Sequence, residues 1–191
     1  MARKRGVMPP SPAKTAYFGF SGLIDPGGVT RICSALNHAA NNNFDQVHLC
    51  INSAGGYVGD GVYLYNHIRA MPIEVVTHNT GSVSSIAVAV FLGARKRICS
   101  RLSTFMIHPT SMMSQHEGMS WERLQASLGA ALADDQRTED ILRERTTLPD
   151  DLLQARRVKD VHITSQDALK FGIVNSVTEL AFPLGHEIVQ I

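Results

Sequence analysis

Cysteines are scarce in this chain, and none of them lies in a close pair. Only Cys33, Cys50 and Cys99 occur among 191 residues, which excludes a disulfide framework and favours a reducing compartment. Prolines at positions 9, 10 and 12 interrupt the segment where a secretory signal would need an apolar core. We therefore predict a cytoplasmic protein that is not exported.

The sequence has no long hydrophobic run and no excess of charge of either sign. The longest apolar run, 86–92, is far shorter than the ~20 residues that span a bilayer. Lysine and arginine number 18 against 17 acidic residues, so the formal net charge is +1. The one dense basic cluster, Arg3-Lys4-Arg5, reads as a solvated terminal tail rather than a basic face. We expect neither a membrane nor a nucleic acid as a partner.

Sequence signatures of metal and nucleotide binding are also missing. The eight histidines show no recurrent spacing with cysteine or acidic residues, and the pair His48 and Cys50 on one strand face is more typical of core packing than of a metal site. No glycine-rich loop ends in Gly-Lys-Ser or Gly-Lys-Thr, as a phosphate-binding loop would. We predict no metal ion and no cofactor.

Strand, turn and helix patterns alternate along most of the chain, which is typical of an α/β fold with mostly parallel strands. We predict a flexible leader over 1–14 and a single domain over 15–191. The expected strands are 15–24, 47–52, 73–77, 97–100, 104–108 and 173–177. The expected helices are 29–41, 58–71, a long one over 119–146, either unbroken or interrupted near 134–135, and two short ones that end near 157 and 172.

The segment 79–94 is the most informative part of the sequence, because a glycine and three serines lead directly into an apolar run. We predict a buried helix that begins after a tight turn, with Ser85 at or just inside its first turn. Unpaired amides and a partial positive charge at a helix start favour a developing anion, so a hydroxyl there could act as a nucleophile. Serines also commonly serve only as helix caps, and this segment alone favours that simpler role.

Other residues expected at the carboxyl ends of strands could complete a reactive site. His108 ends the strand T-F-M-I-H, and Gly55-Gly56 follows the strand V-H-L-C-I-N. A histidine could take the proton of a serine nucleophile, and a glycine turn lets the backbone approach a ligand closely. Each feature alone is more often structural.

Four segments in this order resemble the proteolytic subunit of the Clp protease, ClpP. They are I-N-S-A-G-G (51–56), G-S-V-S-S-I-A (81–87), F-M-I-H-P (105–109) and K-D-V-H-I-T-S-Q-D-A-L-K-F-G-I-V-N (159–175). The resemblance implies a ClpP/crotonase-like fold whose long helix (119–146) is a projecting handle. It also implies a serine endopeptidase with the triad Ser85, His108 and Asp160, and with the backbone N–H groups of Gly56 and Ile86 as the oxyanion hole.

The resemblance further implies a self-compartmentalising homo-oligomer of stacked heptameric rings that hydrolyses peptides or unfolded proteins. An AAA+ unfoldase that supplies the ATP-driven step is an implied partner. The chain departs from the family pattern in its leader, in Ala54 where proline is usual, in Lys159 beside the catalytic aspartate, and in Arg156-Arg157 where the family is more acidic. These departures concern the assembly more than the chemistry.

Two alternatives remain open at this point: a catalytically idle ring or scaffold subunit on the same fold, and a crotonase-type acyl-CoA enzyme. All three triad positions carry the required residue types, which argues against the idle subunit. No basic patch for the phosphates of coenzyme A stands out.

An α/β-hydrolase is disfavoured because Val83 and Ala87 occupy the glycine positions of a G-x-S-x-G elbow. A relative of membrane-bound signal-peptide peptidases is disfavoured by the lack of a membrane segment.

Overall fold

The structure, a computed structural model, describes residues 13–111 and 120–191. Residues 1–12 of the predicted leader and residue 119, the predicted start of the long helix, lie outside the described residues. In chain order the elements are β1 (Thr15–Ser21), α1 (Pro26–Asn41), β2 (Gln46–Ser53), α2 (Val58–Ala70), β3 (Glu74–Ser84), α3 (Ile86–Leu92), β4 (Lys96–Cys99), β5 (Thr104–Ile107), α4 (Trp121–Arg145), α5 (Asp150–Ala155), β6 (Val161–Thr164), α6 (Ser165–Lys170), β7 (Ser176–Val177) and β8 (Ile188–Gln190).

One sheet organises the described chain, with strand order β6-β5-β3-β2-β1-β8; in addition, β4 pairs with β3, and β7 pairs with β4. Every pairing is parallel except that of β5 with β6. The prediction of an α/β fold with mostly parallel strands is therefore confirmed. Because the strands are parallel, the carboxyl ends of β2 and β3 lie at the same edge of the sheet, where the glycine turn and the serine segment follow.

The central strand β3 extends well beyond the predicted strand 73–77, and the predicted turn before the buried helix is confined to Ser85. The strand continues through Asn79 to Ser84, pairing first with β4 and then, over Ser82–Ser84, with β5. Glycine and serine have low strand propensity, but partners on both sides satisfy the backbone here. The helix α3 begins directly after Ser85, and all seven of its residues are buried.

The long helix α4 runs without interruption from Trp121 to Arg145, so the structure supports the unbroken alternative. The side chain of Ser120 caps its start by accepting a hydrogen bond from the Arg123 amide. Asp134 and Asp135 do not break the helix, because neither side chain competes for the backbone hydrogen bonds of α4. The Asp134 side chain pairs with that of Arg137, and the Asp135 side chain accepts hydrogen bonds from Thr110.

Several boundaries differ from the predictions. Helix α1 begins at Pro26 rather than at residue 29, because the Asp25 side chain caps it and Pro26 suits the first helical position. Strands β6 and β8 were not predicted, since three or four residues give little periodic signal. The predicted strand 173–177 is limited to Ser176–Val177. No helix in the described residues is long and apolar enough to cross a membrane.

Candidate active site

Ser85 lies at the junction between β3 and α3, in a backbone conformation that non-glycine residues rarely adopt. Its φ is 57° and its ψ is −133°, and such conformations cost about 1–3 kcal/mol. Its amide donates to the Met106 carbonyl at 2.8 Å, which ties the junction to β5. The Ser85 hydroxyl makes no capping hydrogen bond to α3. The capping role that the sequence left open is therefore not the role that Ser85 has here.

The imidazole of His108 faces this hydroxyl, with Nε2 of His108 2.7 Å from Oγ of Ser85. His108 directly follows β5, and β5 pairs with the end of β3, so the sheet register brings the two residues together across 23 positions of sequence. Ser84 differs, because its hydroxyl lies 3.2 Å from that of Ser82 and its side chain is buried. A neutral imidazole at this distance can take the Ser85 proton.

The Gly55-Gly56 turn lies against the serine. A β-carbon at Gly56 would lie 2.0 Å from the Ile24 carbonyl oxygen, so glycine is required there. The amide of Tyr57 donates to that carbonyl, and the Ile24 amide donates to the Gly55 carbonyl, both at 2.8 Å. These bonds hold the turn beside the β3–α3 junction.

A small cavity of about 110 Å³ opens beside Ser85 and His108. Gly56 and Ile86, the predicted oxyanion-hole residues, both line it. Ile86 is the first residue of α3, so its amide has no acceptor within its own helix. A larger cavity of about 490 Å³ lies near the carboxyl end of α2, but its lining includes no serine, cysteine or histidine. The smaller cavity is therefore the better candidate for chemistry.

The backbone brings Asp160 near His108, but the structure shows no hydrogen bond between their side chains. Ile107 pairs with Val161 in the antiparallel ladder, so extending this register by one position sets His108 opposite Asp160. Opposed residues in such a ladder have β-carbons about 4.5–5.5 Å apart. Asp160 is exposed. The triad therefore remains a prediction, and its third member makes no side-chain hydrogen bond to His108 here.

A different carboxylate, Asp135 on α4, secures the loop that carries His108. Its Oδ1 accepts hydrogen bonds from the amide of Thr110 at 2.7 Å and from the hydroxyl of Thr110 at 2.9 Å. Thr110 lies two residues after His108, so this contact fixes the loop relative to α4. Nothing in the sequence indicated this link, because an aspartate on a charged helix is most often solvated.

Arg156 also lines the cavity, and its side chain is completely buried. Its Nη2 donates to the backbone carbonyl of Asp135 at 3.0 Å, and its Nη1 lies 3.6 Å from Oδ1 of Asp135. Within the described chain, Nε and Nη1 of Arg156 have no hydrogen-bond partner. Burial lowers the pKa of the guanidinium, and the carboxylates of Asp135 and Glu139 offset this in part. The sequence alone related Arg156 to assembly and did not place it beside Ser85.

The neighbouring Arg157 has a different environment. It donates to Oε2 of Glu139, and Arg143 donates to Oε1 of the same carboxylate, both at 3.0 Å. Burial tends to raise the pKa of Glu139, but hydrogen bonds from Arg157 and Arg143 lower it overall. Among residues 13–111 and 120–191 no group of three or more metal-ligating side chains is arranged around a common point.

Comparisons with known proteins show the family to which this chain belongs. A family model described as Clp protease matches residues 20–181. The chain is 26% identical over 158 residues to the ATP-dependent Clp protease proteolytic subunit 3 of Rhizobium meliloti (strain 1021), covering 82% of this chain and 80% of the relative. It is 23% identical over 159 residues to the ATP-dependent Clp protease proteolytic subunit 2 of Pseudomonas aeruginosa, covering 82% and 78%.

A solved structure with a similar fold is that of a ClpP1 mutant from Listeria monocytogenes. The TM-score is 0.75, the sequence identity is 21%, and the match covers 87% of this chain and 92% of that one. The fold class expected from the sequence is therefore confirmed. The resemblance on which the expectation depended is confirmed as well.

Proposed function

The chain belongs to the Clp protease family, and on this premise we propose that it is a serine endopeptidase in which Ser85 is the nucleophile and His108 the general base. The observation that carries the proposal is the 2.7 Å separation between Ser85 Oγ and His108 Nε2 beside a cavity. A scaffold subunit would not need a serine held in a costly backbone conformation with its hydroxyl on an imidazole.

The reaction is acyl transfer from a peptide bond. Ser85 Oγ attacks the carbonyl carbon as His108 Nε2 takes the hydroxyl proton, and His108 then returns that proton to the leaving amine. The backbone N–H groups of Gly56 and Ile86 stabilise the oxyanion, and losing one such donor typically costs about 3 kcal/mol of barrier. Water then releases the acyl group by the same steps in reverse.

Asp160 is the proposed orienting carboxylate. It would accept a hydrogen bond from Nδ1–H of His108, which fixes the tautomer that leaves Nε2 free to act as the base. Its position opposite His108 in the extended β5–β6 register supports this role. A side-chain rotation is required, since no hydrogen bond joins the two groups here. Replacing Asp160 with asparagine is expected to lower the turnover number by about 10³- to 10⁴-fold.

The exposed face of α4 supports assembly into stacked rings. Four large apolar side chains follow one stripe of this helix and are 46–66% exposed: Trp121, Leu124, Leu128 and Leu132. Their spacing of three and four residues places them on one side. A second copy of α4 would cover this apolar stripe. We further propose that the substrates are peptides or unfolded proteins, and that an AAA+ unfoldase delivers the unfolded proteins.

Covalent labelling with a fluorophosphonate tests the proposed nucleophile. The wild-type protein should be modified on Ser85, as mapped by mass spectrometry of its peptides. Ser85→Ala should lose the label, while the matched control Ser84→Ala should keep it. Assembled wild-type protein that stays unlabelled would favour the idle scaffold subunit instead.

A further inference from the structure

Arg156 lines the cavity beside Ser85, and its guanidinium is a buried cation whose charge is only partly compensated. The carboxylate of Asp135 lies 3.6 Å from Nη1 of Arg156, within ion-pair range but too far for a hydrogen bond. Oδ1 of Asp135 is already engaged by both donors of Thr110. Nε and Nη1 of Arg156 therefore remain without acceptors among the described residues.

Among the described residues that line the rest of the cavity, none carries an anionic group. Much of its lining is apolar, including Val88 and Ala89 of α3 and Leu142 of α4. Buried donors normally have partners, and a buried cation most strongly favours an anionic acceptor. A ligand group that enters this cavity and carries a carboxylate would supply the missing acceptor.

We propose that this cavity receives the substrate side chain on the acyl side of the scissile bond, and that Arg156 selects an acidic side chain, aspartate or glutamate, at that position. The inference rests on the proposed function, because it assumes that Ser85 attacks the adjacent carbonyl. The side chain next to that carbonyl must lie within a few ångströms of Ser85, where the cavity opens. Arg156 is then a specificity-determining residue.

The test compares peptide substrates that differ only in this side chain, with glutamate, glutamine, leucine or lysine before a fluorogenic leaving group. For the wild-type protein, kcat/KM should be at least about 10-fold higher for glutamate than for leucine, with glutamine between them and lysine lowest. Arg156→Met keeps an unbranched side chain of similar length, and it should reverse the order of glutamate and leucine.

Two further variants separate selection from folding. Arg157→Met removes the neighbouring arginine, whose guanidinium binds Glu139, and should leave the ratio of glutamate to leucine unchanged. Asp135→Asn removes the carboxylate that partly neutralises Arg156, and should raise that ratio while its amide oxygen still accepts from Thr110. Fluorophosphonate labelling of Ser85 in each variant reports whether the site is intact.

Each outcome decides the proposal. A wild-type preference for glutamate that Arg156→Met abolishes and Arg157→Met retains supports it. A wild-type preference for leucine overturns it and leaves the serine endopeptidase intact. If Arg156→Met does not change the ratio of glutamate to leucine cleavage while Ser85 is still labelled, the proposal is also overturned and the serine endopeptidase is left intact. Wild-type protein that neither labels nor cleaves any of the four peptides overturns the proposed function, and the selectivity with it.

Discussion

Gly55 and Ser85 are in such close contact that a β-carbon on Gly55 would lie 2.6 Å from the β-carbon of Ser85 and 3.2 Å from its hydroxyl oxygen. Gly55 also has a φ of 105°, which side-chain-bearing residues avoid. Ser85, the proposed nucleophile, and the glycine turn are therefore in direct contact. A substitution in the turn would therefore displace Ser85 more than it would disturb the rest of the fold.

Gly55→Ala is expected to abolish most peptidase activity and to destabilise the protein by at least about 1–3 kcal/mol, since it combines a clash with backbone strain. Activity on a fluorogenic peptide and urea unfolding measure the two effects. Gly59→Ala is the matched control, because a β-carbon there meets no atom within 4 Å and alanine favours the helix α2. Full activity in Gly55→Ala would contradict the described contact.

Folding stability is expected to fall in mild acid because of His78. Its Nε2 lies 2.9 Å from Nδ1 of His48, and burial, with smaller repulsion from His48 and Lys96, lowers the pKa of His78 from 6.5 to about 4. Between these values the unfolded chain binds more protons than the folded one, so stability is lost as the pH falls from 6.5 toward 4. At about 1.4 kcal/mol for each pH unit, the full loss is on the order of 3 kcal/mol.

Urea unfolding at several pH values measures this loss. His78→Gln should flatten the dependence of the unfolding free energy on pH in this window. His38→Gln replaces an exposed histidine and should leave the wild-type slope. Equal slopes in the wild-type protein and His78→Gln would show that His78 is not the group responsible.

Leu128→Asp is expected to separate the proposed stacked rings, because it places a charge in the middle of the exposed apolar stripe of α4. Light scattering should then report about half of the wild-type molar mass, as the contact between rings is lost and contacts within a ring remain. Ala126→Asp places the same charge on the other side of the helix and should keep the wild-type mass. A Leu128→Asp protein of wild-type mass would argue that α4 does not join the rings.

The alternation of strands and helices was predictable because long periodic segments dominate it. The apolar residues of α1 recur at helical spacing, and α3 is a continuous apolar run, so both helices are recognisable in the sequence. Short elements carried too little signal: β6 is four residues long and forms because β5 offers an edge to pair with. The extension of β3 over 79–84 was not predicted, since pairing with β5 outweighs the propensities of glycine and serine.

The candidate site was predictable only in part. Ser85 and His108 follow from motif order, and the register of β3 with β5 explains why they meet. Arg156 and Asp135 could not be assigned to the site from sequence, because their roles depend on how α4 and α5 pack over the cavity. A single arginine in a charged segment gives no indication that it is completely buried.

Hydrolysis of a pool of short internally quenched peptides by the wild-type protein, Ser84→Ala and Ser85→Ala tests the central claim most directly. We expect the wild-type protein and Ser84→Ala to cleave at similar rates, and Ser85→Ala to lose at least about 10³-fold in kcat. Cleavage by folded Ser85→Ala at the wild-type rate would contradict the account.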